Sequence, residues 1–246
     1  MLPVQRIMMR NSTYLRDLLR EMEIPYTEEK LDQIYDFYEM VIERNKVMNL
    51  TSITDHDDFM KKHIADSLAP IMFHVIHEGD RILDLGTGGG FPGIPLKIFF
   101  PGSEFLLVDS VNKKLNFIRT VIDTLGLRDI SVLHGRAEDL AHDSGYREQY
   151  DLVVSRAVAN LSVLSELALG FVKSGGQFIS YKGSSGVDEL KEAEFAIDQM
   201  GGCVDNLYEY ALPDGDSRTL IIIQKEKPTP KKYPRKAGFP SKSPMR

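Results

Sequence analysis

The sequence predicts an α/β protein with a mostly parallel sheet behind an N-terminal helical cap. Three observations carry that reading. From Arg81 onward, short apolar runs alternate with amphipathic ones, the order that builds a parallel sheet covered on both faces. The first run, Ile82, Leu83 and Leu85, breaks into the glycines Gly86, Gly88, Gly89 and Gly90. Before residue 75 the apolar positions fall at helical spacing instead.

In the cap, Tyr14, Leu15, Leu18, Leu19 and Met22 form one amphipathic turn-pair closed by Pro25. Thr27 is placed to cap a second helix, followed by Glu28 and Glu29, which suit its positive end. Its stripe of Leu31, Ile34, Tyr35, Tyr38, Val41 and Ile42 reads as core. Thr54 or Asp55 can cap a third helix, on which His63 and Asp66, three apart, share a face. These two can orient one another beside a ligand or simply form a surface pair. Spacing alone favours the plainer reading.

Beyond the cap, Phe105–Val108, Ile130–Leu133, Asp151–Ser155 and Gln177–Tyr181 read as further strands. Helices fall around Leu115–Ile122, Leu161–Leu169 and Val187–Met200, and Gly126 ends the first of these. Val204–Leu212 and Arg218–Gln224 read as a closing hairpin. The expected division is a helical cap over 1–75, a sheet domain over 76–225 and a basic, flexible tail over 226–246.

Composition narrows the classes. A chain of 246 residues with 42% hydrophobic and 27% charged residues is that of a water-soluble domain with room for a sizeable core. Cys203 stands alone, which excludes an intramolecular disulfide and a cysteine-based zinc site. No signal-peptide core or 18-residue apolar run is present, so no membrane association is expected and the cytoplasm is the expected location. The net charge of −6 hides an asymmetry: Lys225 to Arg246 holds eight Lys or Arg against Glu226, giving +7 and leaving −13 on the body. An acidic body with a basic tail points to a polyanion touched through that tail. The tail has too little apolar content to fold by itself, leaving Tyr233 and Phe239 available for stacking.

The glycine turn carries the chemistry. Glycines admit positive φ and let the backbone approach a ligand at the start of the next helix. Gly88, Gly90 and Gly93 formally spell the dinucleotide pattern G-x-G-x-x-G, but three residues beyond the strand end. Asp84 with Gly86, Gly88 and Gly90 spells the D-x-G-x-G-x-G form of S-adenosylmethionine enzymes, which is the preferred register. Asp109, 23 residues after Gly86 and ending the second strand, suits a ribose-binding carboxylate. Ala137 and Glu138, in the loop after the third strand, are placed to read an adenine edge. Arg156 and Lys182 arrive at the carboxyl edge of the fourth and fifth strands, where ligands of open α/β sheets bind. Gly183-Ser184-Ser185-Gly186 is not a nucleophile elbow, and His74 and His77 lack further ligands, so no metal site is expected.

Together the runs NLTS at Asn49, HIADS at His63, LDLGTGGGFPGIPL at Leu83, LLVDS at Leu106, SRAVA at Ser155 and YKG at Tyr181 resemble the bacterial small-subunit ribosomal RNA methyltransferase G family, also called glucose-inhibited division protein B. The likeness spans about residues 20 to 225. It implies a Rossmann-like, seven-stranded, S-adenosyl-L-methionine-dependent methyltransferase sheet, and methylation of guanine N7 in the decoding-region loop of 16S rRNA. Gly86 and Phe91 match the family's cofactor-loop contacts, Ala137 and Glu138 its adenine-side contacts, and Arg156 its binding-site arginine. Asp109 is similar to the ribose acid of the wider superfamily.

Guanine N7 bears a lone pair and no proton, so the expectation is catalysis by positioning, with Arg156 and Lys182 holding the RNA or guanine and no general base. The implied partner is 16S rRNA, in the small ribosomal subunit or an assembly intermediate, and the protein is expected to be a monomer. The competing readings are methylation of a different RNA or a small molecule, a non-catalytic cofactor-sensing RNA-binding module, and NAD binding through the second glycine register.

Overall fold

The structure is a computed structural model and describes residues 13–245. In chain order, helix α1 (Tyr14–Glu21) and α2 (Glu28–Asn45) lead into α3 (His56–Phe59), a π-helical segment (Met60–Ala65), α4 (Asp66–Leu68) and a 3-10 turn (Ala69–Phe73). Strands and helices then alternate: β1 (Arg81–Leu85), α5 (Gly93–Phe99), β2 (Glu104–Asp109), α6 (Asn112–Leu125), β3 (Ile130–His134), α7 (Ala137–Leu140), β4 (Tyr150–Arg156), α8 (Leu161–Ala168), β5 (Val172–Lys182) and α9 (Gly186–Gln199). The antiparallel pair β6 (Gly202–Ala211) and β7 (Ser217–Lys225) and a short α10 (Phe239–Lys242) complete the chain.

Seven strands form one sheet in the order β3-β2-β1-β4-β5-β7-β6, parallel except for β7. The order reverses between β1 and β4, which opens a crevice at their carboxyl ends. Ile82, Leu107, Val154 and Ile222 face one side of the sheet and share a continuous core with α5, α6 and the cap residues Leu15, Ile34, Phe59 and Leu68. Leu83, Val108, Val153 and Ile223 face the other, against α8 and α9. Both faces are therefore dry, which is why the parallel strands read as unbroken apolar runs.

The local signals act as their chemistry dictates. Thr27 accepts the Lys30 amide at 3.3 Å, and Asp55 accepts those of Asp57 and Asp58 at 3.0 Å each. Gly126 closes α6 at φ 63°. β5 starts at Val172, ahead of Gly175, because its first residue pairs with Tyr150 before a register shift absorbs the glycines. No helix among the described residues is long and apolar enough to cross a membrane.

The C-terminal expectation is corrected. Residues 226–245 do not hang free as a basic tail but run back across the α7–α8 side of the domain as a strap. Composition misleads here because the strap is held chiefly by polar bonds, many of them to its backbone, with only scattered apolar residues such as Met245 reaching the core. Arg147 donates to the carbonyls of Thr229 (2.7 Å) and Tyr233 (3.0 Å), and His142 Nε2 lies 2.8 Å from that of Pro234. Lys225 Nζ is buried on the carbonyls of Leu169 and Met200, and burial pushes its pKa down to about 8. Arg235 takes the buried Glu166 carboxylate with its amide, Nε and Nη2 at 2.6–3.1 Å. Met245 is buried beside α8, its carbonyl accepting from Ser162.

Arg235→Ala would strand the Glu166 carboxylate without its counter-charge. Denaturant unfolding is expected to show a loss of roughly 3 kcal/mol, the usual cost of breaking a buried pair by removing one partner; a change below about 0.5 kcal/mol would mean the strap is not docked.

Candidate active site

At the carboxyl edge of the sheet, a cleft of about 1540 Å³ runs from α7 and β3 across β1 to β4 and β5. Its floor is the glycine turn. Gly86, Gly88 and Gly90 have φ of 76°, 59° and 101°, left-handed conformations that favour glycine. The amides of Gly86 and Thr87 bond Val108 O at 2.8 and 3.0 Å, folding the turn back onto β2. Gly93 starts α5 with ordinary φ but close approach, since a Cβ there would meet Asp84 Oδ2 at 2.6 Å. The three positive-φ positions are those of the D-x-G-x-G-x-G register, while Gly93 is a helix–strand packing glycine.

Asp84 and Gly90 stand behind the cleft wall rather than on it. Asp84 is fully buried and accepts the Gly93 amide at 2.9 Å, so it shapes the turn. Burial raises its pKa to about 7 against the opposing pull of Thr87, the Gly93 amide and Arg156. Asp109 does line the cleft. Its two oxygens are aimed by the Gly88 amide (2.9 Å) and the Val111 amide (2.7 Å), and a carboxylate has lone pairs beyond these two. Gly86, Gly88, Phe91, Ala137 and Glu138 also line it.

The opposite end is built around Arg156. From the end of β4 its Nη1 donates to Asp66 Oδ2 at 2.8 Å and its Nη2 lies 3.1 Å from His63 Nδ1. The guanidinium stands over the Phe91 ring at 5.4 Å, and His63 stacks on that ring at 4.5 Å. Because Nδ1 accepts from Arg156, the imidazole proton sits on Nε2, 2.6 Å from Thr51 Oγ1. Burial, and then the Arg156 charge, hold the His63 pKa down to about 3. Asp66 also accepts from Tyr210 (3.0 Å) and faces Arg218 (3.3 Å), while Tyr181 donates to Ser67 O at 2.9 Å.

So His63 and Asp66 do act together, through an arginine some 90 positions later that spacing within the cap helix cannot reveal. His63 lies in the π-helical segment, a geometry that often marks functional positions. Arg156 and Lys182, expected to hold the RNA or guanine, both line the cleft, and each is also bonded within the protein. Arg156 is committed to the cap, and Lys182 Nζ is held by Glu189 and by Ala159 O at 2.7 Å each. Tyr210, Arg218 and Glu189 are members of this bonded cluster that sequence reasoning missed, while Thr51, like Asn49, His63 and Asp66, is a polar residue set among apolar ones in the sequence. Among the described residues no His, Cys, Asp and Glu group could hold a metal.

Comparison with known proteins decides the family. The profile of the GidB family, described as rRNA small subunit methyltransferase G, matches residues 30–213. The chain belongs to that family. A ribosomal RNA small subunit methyltransferase G of Lachnoclostridium phytofermentans is 48% identical over 96% of this chain and 97% of its own. Its counterpart in Staphylococcus aureus strain Newman is 47% identical over 94% and 97%. Among solved structures, TrmN from Thermus thermophilus superimposes with a TM-score of 0.52 at 20% identity, covering 65% of this chain and 48% of that one. A SAM-dependent methyltransferase from Aquifex aeolicus gives 0.51 at 15% identity over 68% and 94%. These two share the fold.

As a GidB-family member the chain is a methyltransferase, and S-adenosyl-L-methionine is its methyl donor. The cleft fits that group: Gly86 and Gly88 hold positive φ that favours glycine at the turn, and an anchored carboxylate stands at the end of β2. In His63→Gln an amide oxygen can still accept from Arg156 but the ring that titrates is gone. Wild-type His63 stays neutral when folded and takes a proton on unfolding, so its contribution is complete above pH 6.5 and is lost as pH falls toward 3. Unfolding measured from pH 7 to 4 is expected to fall more steeply in wild type than in the variant, by up to about 1.4 kcal/mol per pH unit.

Proposed function

We propose that the enzyme transfers the methyl group of S-adenosyl-L-methionine to N7 of a guanine in the decoding-region loop of 16S rRNA. The observation that carries the position on the base is the charge state of the substrate end. Every titratable group there is already engaged: His63 is held neutral between Arg156 and Thr51, Asp66 is shared by Arg156, Arg218 and Tyr210, and Glu189 is paired with Lys182. None is poised to remove a proton. That arrangement suits a nucleophile with a free lone pair and no proton to lose, and guanine N7 is one.

The methyl donor supplies an electrophilic sulfonium methyl. The chain's own residues place it and the base. Gly86 and Gly88 keep the floor bare, Asp109 is aimed to accept the ribose hydroxyls, and the backbone at Ala137 and Glu138 faces the adenine. Phe91, with the His63 ring stacked on it and the Arg156 guanidinium packed against it beside His63, stiffens the wall near the reacting atoms. Catalysis in this reading is orientation in a fixed pocket. The target must leave its stack to enter, which a single-stranded loop permits at low cost.

Arg156 is a positioning residue here, because it fixes the cap against the sheet edge. Arg156→Ala is expected to lower kcat on 16S rRNA about 100-fold, the scale of a 1 Å misplacement, while S-adenosylhomocysteine binding changes less. Equal losses in both would place the residue on the cofactor instead. The exposed lysines Lys231, Lys232, Lys236 and Lys242 remain available to phosphates. Changing all four to alanine should weaken RNA binding and flatten its logarithmic salt slope by about 0.7 for each phosphate no longer neutralised. An unchanged slope would remove the strap from the RNA interface. The reaction itself is tested by treating 16S rRNA or small subunits with the enzyme and mapping the product by mass spectrometry. One methyl on a loop guanine, with reduction-dependent strand scission diagnostic of N7, is expected. Methyl on another atom, or none, rejects the reading.

A further inference from the structure

The strap ends on the cofactor cleft. Gly238 and Ser241 line the same cleft as Ala137 and Glu138, and the Gly238 amide donates to Glu138 Oε1 at 2.8 Å. Gly238 has φ 79°, so the chain turns there in a conformation that other residues adopt only with strain. The bonds that hold the strap fall on the segment that carries Glu138 and on its neighbour α8. Arg147 joins Ala141 O to the strap carbonyls, His142 meets Pro234, and Glu166 of α8 takes Arg235. Arg235 in turn stands over the Phe239 ring at 5.0 Å.

From this convergence we propose that the C-terminal strap is the adenine-side wall of the cofactor cleft, and that Gly238 positions Glu138 to recognise the adenine of the methyl donor. The inference rests on the adenine lying beside Ala137 and Glu138. With one oxygen engaged by the Gly238 amide, the Glu138 carboxylate turns its remaining lone pairs to the cleft. A carboxylate only accepts, so it suits the exocyclic 6-amino group of adenine and repels a 6-oxo group in that place. Gly238 and Ser241 flank Glu138 at that end of the cleft. The strap thereby gives a stretch of chain outside the sheet a direct part in choosing the cofactor.

The test compares two ligands by calorimetry, S-adenosylhomocysteine and S-inosylhomocysteine, which differ at the 6-position of the base. Wild type is expected to prefer the adenosyl compound by tenfold or more. A chain ending at Ala237 keeps Arg235 on Glu166 and the Arg147 bonds but lacks the wall. It is expected to bind S-adenosylhomocysteine about tenfold more weakly and to lose most of the preference. Gly238→Val, which strains the turn without shortening the chain, should move both quantities in the same direction and serves if the shorter chain does not fold. A folded variant with unchanged affinity and preference overturns the proposal, as does one that weakens both ligands equally, since that is what a merely structural strap would do. If wild type itself shows no preference, the placement of adenine beside Glu138 fails instead.

Discussion

The active site depends on the ion pair between Arg156 and Asp66. Arg156 comes from the end of β4 and Asp66 from the cap, and the carboxylate is 5% exposed. Two charges so placed lose most of their hydration, and their attraction offsets that loss only if the remaining lone pairs and protons are satisfied. Here they are, by Tyr210 and Arg218 on Asp66, and by the carbonyls of Lys62 and His63 on Arg156. Burial and the neighbouring Asp66 charge raise the pKa of the Tyr210 hydroxyl, so it remains a donor. One carboxylate thus ties together the cap, the parallel half of the sheet and the closing hairpin. An apolar contact could hold these parts equally tightly, but it would not set their rotation, and a pocket that works by orientation needs that rotation set.

The sheet is legible in the sequence because its signals are local and repeated. Strands buried on both faces produce unbroken apolar runs, and a turn that needs positive φ produces glycines at stated positions. The site is legible in its residue types but less so in its bonds. Asp84 belongs to the recognised motif, yet its work is to hold the Gly93 amide behind the wall. His63 and Asp66 share a helix face, as spacing predicts, but whether such a pair is surface or site depends on Arg156, and nothing in the cap encodes that partner. Arg218 and Glu189 are still harder to read, because each is an ordinary charged residue until the fold brings Asp66 or Lys182 within reach.

The strap escapes a reading of composition for a related physical reason. Low apolar content argues against folding only when burial of a hydrophobic face is what must offset the chain entropy given up. This segment is ordered by side chains of the body that capture its carbonyls, and such bonds leave no periodic trace in the strap itself. The same fact revises its electrostatics. Lys225 is wholly buried and Arg235 is spent on Glu166, so two of the cations counted toward a polyanion are internal to the fold. In the proposed function the field offered to RNA comes from the exposed lysines, which lie on a docked strap rather than along a free chain. Fixed charges surrender less entropy on binding, so fewer of them are needed.

Cap and strap therefore stand at opposite ends of one cleft and do comparable work. β3, which leads to Glu138, lies two strands from β1 on one side, and β5, which delivers Lys182, lies two strands away on the other. A sheet alone supplies the glycine floor and Asp109 but no walls. In the proposed reading the strap flanks the end that takes the donor's base, and the cap, whose His63 and Asp66 hold Arg156, flanks the end where the acceptor enters. Between them lies the glycine turn, where Gly86 and Gly88 hold positive φ. The proposed reaction asks for no proton transfer and so leaves the protein one task, alignment, which both additions to the sheet serve.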